Sequence, residues 1–177
     1  MLAEVVVVAK VSRYNIDFMF KASLDKMAQV IPALMVLLSF GMLTLPYFTD
    51  DKTFELITIF PTLLILVIVF ISYLYSPQGY EINLDSIAVV RKMGKFFISR
   101  KDIASIRPLS ESELGGVWRM AGNGGVFGYT GWFSSGKIGK MRWFVTQRKN
   151  YILIELNSGK KILLSPDDVS GFMESMK

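Results

Sequence analysis

Residues 27–49 and 56–80 carry no charged side chain, and only the segment DDKTFE (50–55) separates the two runs. The hydrocarbon core of a bilayer takes about 20 consecutive apolar residues as a helix, and a buried helix of a soluble domain is usually shorter. One Lys, Arg or Asp at mid-membrane costs about 2.5–3.5 kcal/mol on insertion scales, so two uncharged runs in succession are a strong constraint. The linker is too short for anything but an antiparallel return. The sequence therefore predicts a transmembrane helical hairpin over residues 27–76, with spans at 27–47 and 56–75. Pro32 and Pro61 fall near the starts of the spans and Pro46 at an exit, where a missing N–H is tolerated. Tyr47, Phe48, Tyr73 and Tyr75 fall near span ends, where amphipathic rings settle at headgroup level. Gln29 is the only strongly polar side chain in either span. The pair reads as an anchor, since a transport pathway usually shows charged or broken helices.

Hydrophobic residues make up 51% of the chain although 20% is charged, so the apolar excess is local and the remainder has the texture of an ordinary soluble domain. The chain has no cysteine and no histidine. Disulfides, thiolate nucleophiles and Cys-based metal sites are thereby excluded, together with the commonest metal ligand and the usual general base near neutral pH. No cofactor, metal or catalytic residue is expected, and the chain reads as a non-enzyme. Arg91, Lys92, Lys95, Arg100 and Lys101 follow soon after the second span, while Asp50, Asp51 and Glu55 crowd the interhelical loop. The positive-inside rule then predicts a multi-pass protein of the cytoplasmic (inner) membrane with both termini in the cytoplasm. The early run VVVVA (5–9) is too short for a signal-peptide core and is interrupted by Lys10.

Flanking segments read as strands. Tyr14, Ile16, Phe18 and Phe20 alternate with Asn15, Asp17 and Lys21, and the β-branched stretch 4–10 is a candidate hairpin partner. Residues 1–26 are thus expected to form a β-hairpin that joins the sheet of the domain at 77–177, because a bare hairpin is marginal in water. Within that domain, strands are predicted at 80–84, 87–92, 95–99, 102–109, 140–147, 151–157 and 160–165, with turns at Asp85-Ser86 and Asn157-Ser158-Gly159. A final helix is predicted from Ser165 as its cap, with Pro166 first and Asp167 and Asp168 at its positive end. Val169, Phe172, Met173 and Met176 then form one apolar stripe.

The ordered pieces SPQGYEI (76–82) after a span, DIASI (102–106), RMAGNGGVFGYTGWF (119–133), a strand ending at Thr146 and SPDDVSGF (165–172) cover most of residues 76–177. This arrangement resembles the pleckstrin-homology (PH) domains, and is similar in detail to a bacterial membrane-anchored family of PH-like domains. The resemblance implies an α+β membrane protein: a two-helix transmembrane hairpin with a PH-like antiparallel β-barrel or sandwich closed by a C-terminal α-helix. It implies no ligand. Lipid-binding PH domains gather Lys and Arg between their first two strands, whereas Asp85-Ser86 stands there in this chain.

Most of the glycines lie in 115–139, read as a long glycine-hinged excursion between strands. Gly131-x4-Gly136-Lys137 is one residue short of a P-loop, but Ile138 stands where Ser or Thr should hold magnesium, and no helix pattern follows. The excursion is instead the candidate contact surface for a protein partner or anionic lipid, through Trp118, Arg119, Phe127, Tyr129, Trp132, Phe133, Lys137, Lys140 and Arg142. A packed structural lid is the plainer reading of the same residues. The juxtamembrane cations add attraction to anionic lipid or simply fix topology. Nothing joins them to a stacking strand or groove-reading helix, so no nucleic acid is expected. Two functions stay open: a binding module whose barrel recognises a partner in a membrane assembly, or an accessory subunit whose helices recognise and whose barrel is a cap.

Overall fold

The computed structural model describes residues 18–48 and 52–176. Most of the candidate N-terminal hairpin, including 4–10 and Tyr14–Asp17, lies outside the described residues, as do Asp50 and Asp51 of the acidic loop. The elements in chain order are β1 (Phe18–Lys21), α1 (Lys26–Thr44), a 3-10 turn (Leu45–Phe48), α2 (Lys52–Tyr75), β2 (Pro77–Ile82), β3 (Ser86–Arg91), β4 (Lys95–Ser99), a second 3-10 turn (Arg100–Asp102), β5 (Ile103–Leu109), α3 (Glu111–Leu114), β6 (Val117–Gly124), β7 (Tyr129–Ser135), β8 (Gly139–Val145), β9 (Tyr151–Leu156), β10 (Lys161–Leu164) and α4 (Val169–Glu174).

Helices α1 and α2 are both long and apolar enough to cross a membrane, and only 17% of the apolar window of each is buried within the protein. A core helix of a soluble protein would be mostly buried. Leu37, Leu38, Phe40, Phe60 and Phe70 face outward instead. The buried residues of the two helices are mostly small: Ala28, which packs on the domain's second core, and Pro32, Ser39, Thr58, Thr62 and Val69. The hydroxyls of Ser39 and Thr62 donate to carbonyls one turn back, at 2.8 and 2.6 Å, so no polar group is stranded there.

The strands form two sheets, ordered β1-β2-β3-β4 and β5-β9-β10-β8-β7-β6. No hydrogen-bonded pairing among the described residues joins one sheet to the other, so the expected barrel is not closed. All pairings are antiparallel except β8 with β10, which run parallel because the last strand inserts between β8 and β9. This central position buries both faces of β8, β9 and β10. Phe144, Ile152, Ile154, Ile162 and Leu164 point to the core shared with β2–β4, and their neighbours Trp143, Val145, Tyr151, Leu153 and Leu163 point to a second core. Strands buried on both faces read as continuous apolar runs, as 151–154 and 162–164 do.

The excursion at 115–139 is a correction to the sequence reading. It is a hairpin, β6–β7, with a register shift between Arg119 and Ala121, and it forms one edge of the six-stranded sheet. Gly122 and Gly131 stand opposite each other with φ of +115° and +128°, and a Cβ on either would lie 2.3 Å from a carbonyl oxygen of the facing strand. Only glycine permits that approach. Glycines taken as loop signals are here the means of pairing.

The C-terminal helix is corrected too. Its cap is Asp168, whose carboxylate accepts from Gly171 N–H at 2.9 Å. Ser165 instead accepts from Thr146 N–H, and Asp167 accepts from the backbone and hydroxyl of Ser23 at 3.0 and 2.6 Å, tying the segment before α1 to the domain. Phe172 is fully buried, with Val169, Met173 and Met176 against the same core. Tyr80 ties this core together. Its hydroxyl donates to the Phe144 carbonyl at 2.6 Å and accepts from Ser165 N–H at 3.0 Å, and burial pushes its pKa up to about 12. Tyr80→Phe leaves both backbone groups without a partner and is expected to cost about 1–3 kcal/mol, read as a lower unfolding temperature of the detergent-solubilised chain.

Candidate functional site

The β6–β7 hairpin reaches from the sheet to the base of the helix pair. Pro32 has no N–H, so the Ala28 carbonyl one turn earlier lacks its usual helical donor. The amide of Phe127, in the β6–β7 turn, donates to that carbonyl at 3.1 Å. Ser76, just after α2, donates its hydroxyl to the Phe127 carbonyl at 2.6 Å, and the Phe127 ring meets Tyr73 edge-on at 5.2 Å. Phe127 holds φ of +57° to make these contacts. One residue of the hairpin thus bonds the start of α1 and the end of α2.

Asp25 forms a second junction. Its carboxylate caps α1 by accepting from Ala28 N–H at 2.7 Å. It also accepts from the Tyr129 hydroxyl at 3.2 Å and from Arg148 N–H at 3.3 Å, while its own amide donates to the Thr146 carbonyl. Burial, followed by the charge of Asp25, raises the pKa of the Tyr129 hydroxyl. Replacing such a cap typically costs about 0.5–2 kcal/mol, and here the loss also removes the contacts to Tyr129 and the Arg148 amide.

Alternation along β7 and β8 splits the predicted aromatic–basic set between two faces. On one face, Phe133 stacks on Trp143 at 4.4 Å, and these rings with Tyr129, Tyr151, Arg119, Arg148, Glu111 and Leu114 line a cavity of about 480 Å³. Its size is ordinary for a ligand pocket. Arg119 has no ion-pair partner among the described residues, and the buried Trp143 Nε1 has no hydrogen-bond partner. Burial pushes the Tyr151 pKa to about 12. Trp118 and Met120 are exposed on β6, an edge strand, where Trp118 stands opposite Ser134 and so faces away from the cavity.

On the other face, Trp132 stands opposite Arg142. Lys140 lies 4.8 Å over the Trp132 ring, and the Arg142 guanidinium lies 4.4 Å over Phe96. Desolvation, then the nearby charge of Arg91, lowers the Arg142 pKa. Lys137 belongs to neither face: its ammonium donates to the Ser112 carbonyl at 2.9 Å, holding α3.

Residues 78–177 match the family described as Bacterial PH domain. The chain belongs to that family. No curated protein and no solved structure matches it. In this PH domain the five cations that follow α2 separate. Arg91 lies over the ring of Tyr75 at 5.4 Å and Lys92 over that of Tyr73 at 4.0 Å, both at the end of α2. Lys95 is paired with the buried Glu81 at 2.6 Å. Arg100 and Lys101 sit at the opposite end of β4, where Arg100 donates to the Met176 carbonyl.

The sequence reading missed Glu111, Trp143, Arg148 and Tyr151 in the cavity wall and Asp25 at the junction. One signal was available: Ser110-x-x-Glu113 is a capping box, which forms here and starts α3. Trp143 and Tyr151 carry no such signal, since a strand residue's face is fixed only by its neighbours.

Two measurements check this arrangement. Pro32→Ala returns an N–H to α1 that competes for the Ala28 carbonyl; the helix should gain stability while hydrogen exchange at the Phe127 amide speeds up. Glu113 is held from its ordinary 4.5 down to about 2, first by the Ser110 N–H and then by Arg107. Its contribution is therefore complete above pH 4.5 and lost as pH falls through about 2. A pH titration of the Ser110 amide resonance should follow that low midpoint.

Proposed function

We propose that this chain is a membrane-anchored, non-catalytic binding module. Helices α1 and α2 cross the cytoplasmic membrane with both termini inside, and the PH domain held beneath them recognises a protein or peptide segment. The cavity between α3 and the β6–β7 hairpin carries this reading. It offers an unpaired guanidinium at Arg119, an unpaired N–H at Trp143 and flanking rings, a set that suits an acidic or carbonyl-bearing group inserted among aromatics. β6 adds an edge strand on which Val117 at the cavity and Trp118 and Met120 are exposed, and an extended segment can pair with it as a further strand. The outward apolar faces of α1 and α2 support the anchor, since such surface is costly in water and neutral in lipid.

The rival is recognition by the helices, with the PH domain as a cap. A photo-crosslinking residue placed at Trp118 or Met120 of the full-length chain in its host cell should capture one discrete protein, and Arg119→Glu should abolish the product. Crosslinks that form only from positions within the two helices would transfer recognition to the spans and overturn the module reading.

A further inference from the structure

We propose that Arg91 and Arg142 together clasp the phosphate of an anionic membrane phospholipid at the end of α2. The inference rests on the reading of α1 and α2 as membrane spans and gives the second face of the PH domain a ligand of its own.

Two guanidinium groups from different sheets converge at one mouth of the inter-sheet core. In β3, Val89 and Arg91 share the inward face, and Val89 stands opposite Phe96 of β4. Arg91 is thus the diagonal neighbour of Phe96, the ring on which Arg142 of β8 lies. Like charges this close are unfavourable unless an anion sits between them. Among the described residues no carboxylate pairs with either. Arg91 Nε is buried without a hydrogen-bond partner among the described residues, a cost that a ligand oxygen would relieve. Burial, and after it the charge of Arg91, lowers the pKa of Arg142.

The surroundings fix the source of the anion. Arg91 rests on Tyr75, the last residue of α2. The β3–β4 turn is pinned to the same helix end, where Met93 N–H donates to the Leu74 carbonyl at 3.0 Å. Met93 itself is exposed, as is much of Tyr73 and Tyr75. An exposed methionine, two tyrosines and Lys92 beside an apolar helix end make the pattern of a bilayer interface, with alkyl contacts on the helix side and cations at headgroup depth. Trp132 and Lys140 continue the surface outward. Arginine suits this task because its planar fork presents paired donors to phosphate oxygens while its face stacks on a ring.

The test uses the full chain reconstituted in phosphatidylcholine vesicles with and without phosphatidylglycerol. Flotation with pure phosphatidylcholine that resists alkaline extraction reports the anchor alone, and its failure would remove the anchor reading itself. Lipids retained after gentle detergent extraction are then counted by native mass spectrometry. Wild type should retain phosphatidylglycerol over phosphatidylcholine, and R91Q/R142Q should lose this preference by about thirtyfold, as expected for two interfacial cations. If the double glutamine variant does not fold, R91K/R142K keeps the charge without the paired donors and should retain clearly less lipid. Equal retention of the two lipids by wild type, or an undiminished preference in the folded variants, overturns the proposal. Full displacement of the lipid by soluble glycerol phosphate overturns the bilayer as its source.

Discussion

A proline that cannot donate a hydrogen bond sets how the two halves of this protein meet. Pro32 leaves the Ala28 carbonyl open, and the Phe127 amide fills it. A helix interior normally offers a neighbouring domain nothing but side chains, since its backbone groups are spent on one another. Here a backbone carbonyl inside α1 serves as a docking point, with Asp25 and Ser76 as flanking supports. Phe127 accepts a left-handed conformation to reach it, a strain that three simultaneous contacts offset. That attachment holds the tip of the β6–β7 hairpin against both helices.

The division of labour between the faces follows from the period of a strand. Tyr129 and Phe133 fall on one side, Trp132 on the other, and β8 repeats the pattern with Trp143 against Arg142. A run that looks like one aromatic–basic cluster in the sequence is therefore two surfaces. One is a partly enclosed cavity bounded by α3. The other is a shallow basic surface reaching the end of α2.

Features that rest on local chemistry were legible in the sequence. The absence of charge marks α1 and α2, apolar alternation marks most strands, and the stripe through Phe172 marks α4. The PH family itself was legible from ordered pieces spread over the domain. What was not legible depends on partners distant in the chain. Gly122 and Gly131 read as flexible until they are set opposite each other. Asp167 reads as a helix-start residue until Ser23 is brought beside it. Closure of the barrel could not be judged either, because strand count says nothing of whether the two sheets join. Among the cations, spacing grouped five residues that the sheet distributes over both ends of β4.

The parallel insertion of β10 has a consequence for how the protein is made. Synthesis delivers α1 and α2 first, then β8 and β9 as strands that do not pair with each other. The residues that bridge them, 161–164, follow both in the chain. Until β10 and Phe172 have left the ribosome, the larger sheet has a gap at its centre and the pocket for Phe172 is unfilled. Closure of the larger sheet thus waits on its central strand, and the nascent chain must keep two hydrophobic half-sheets apart until β10 arrives.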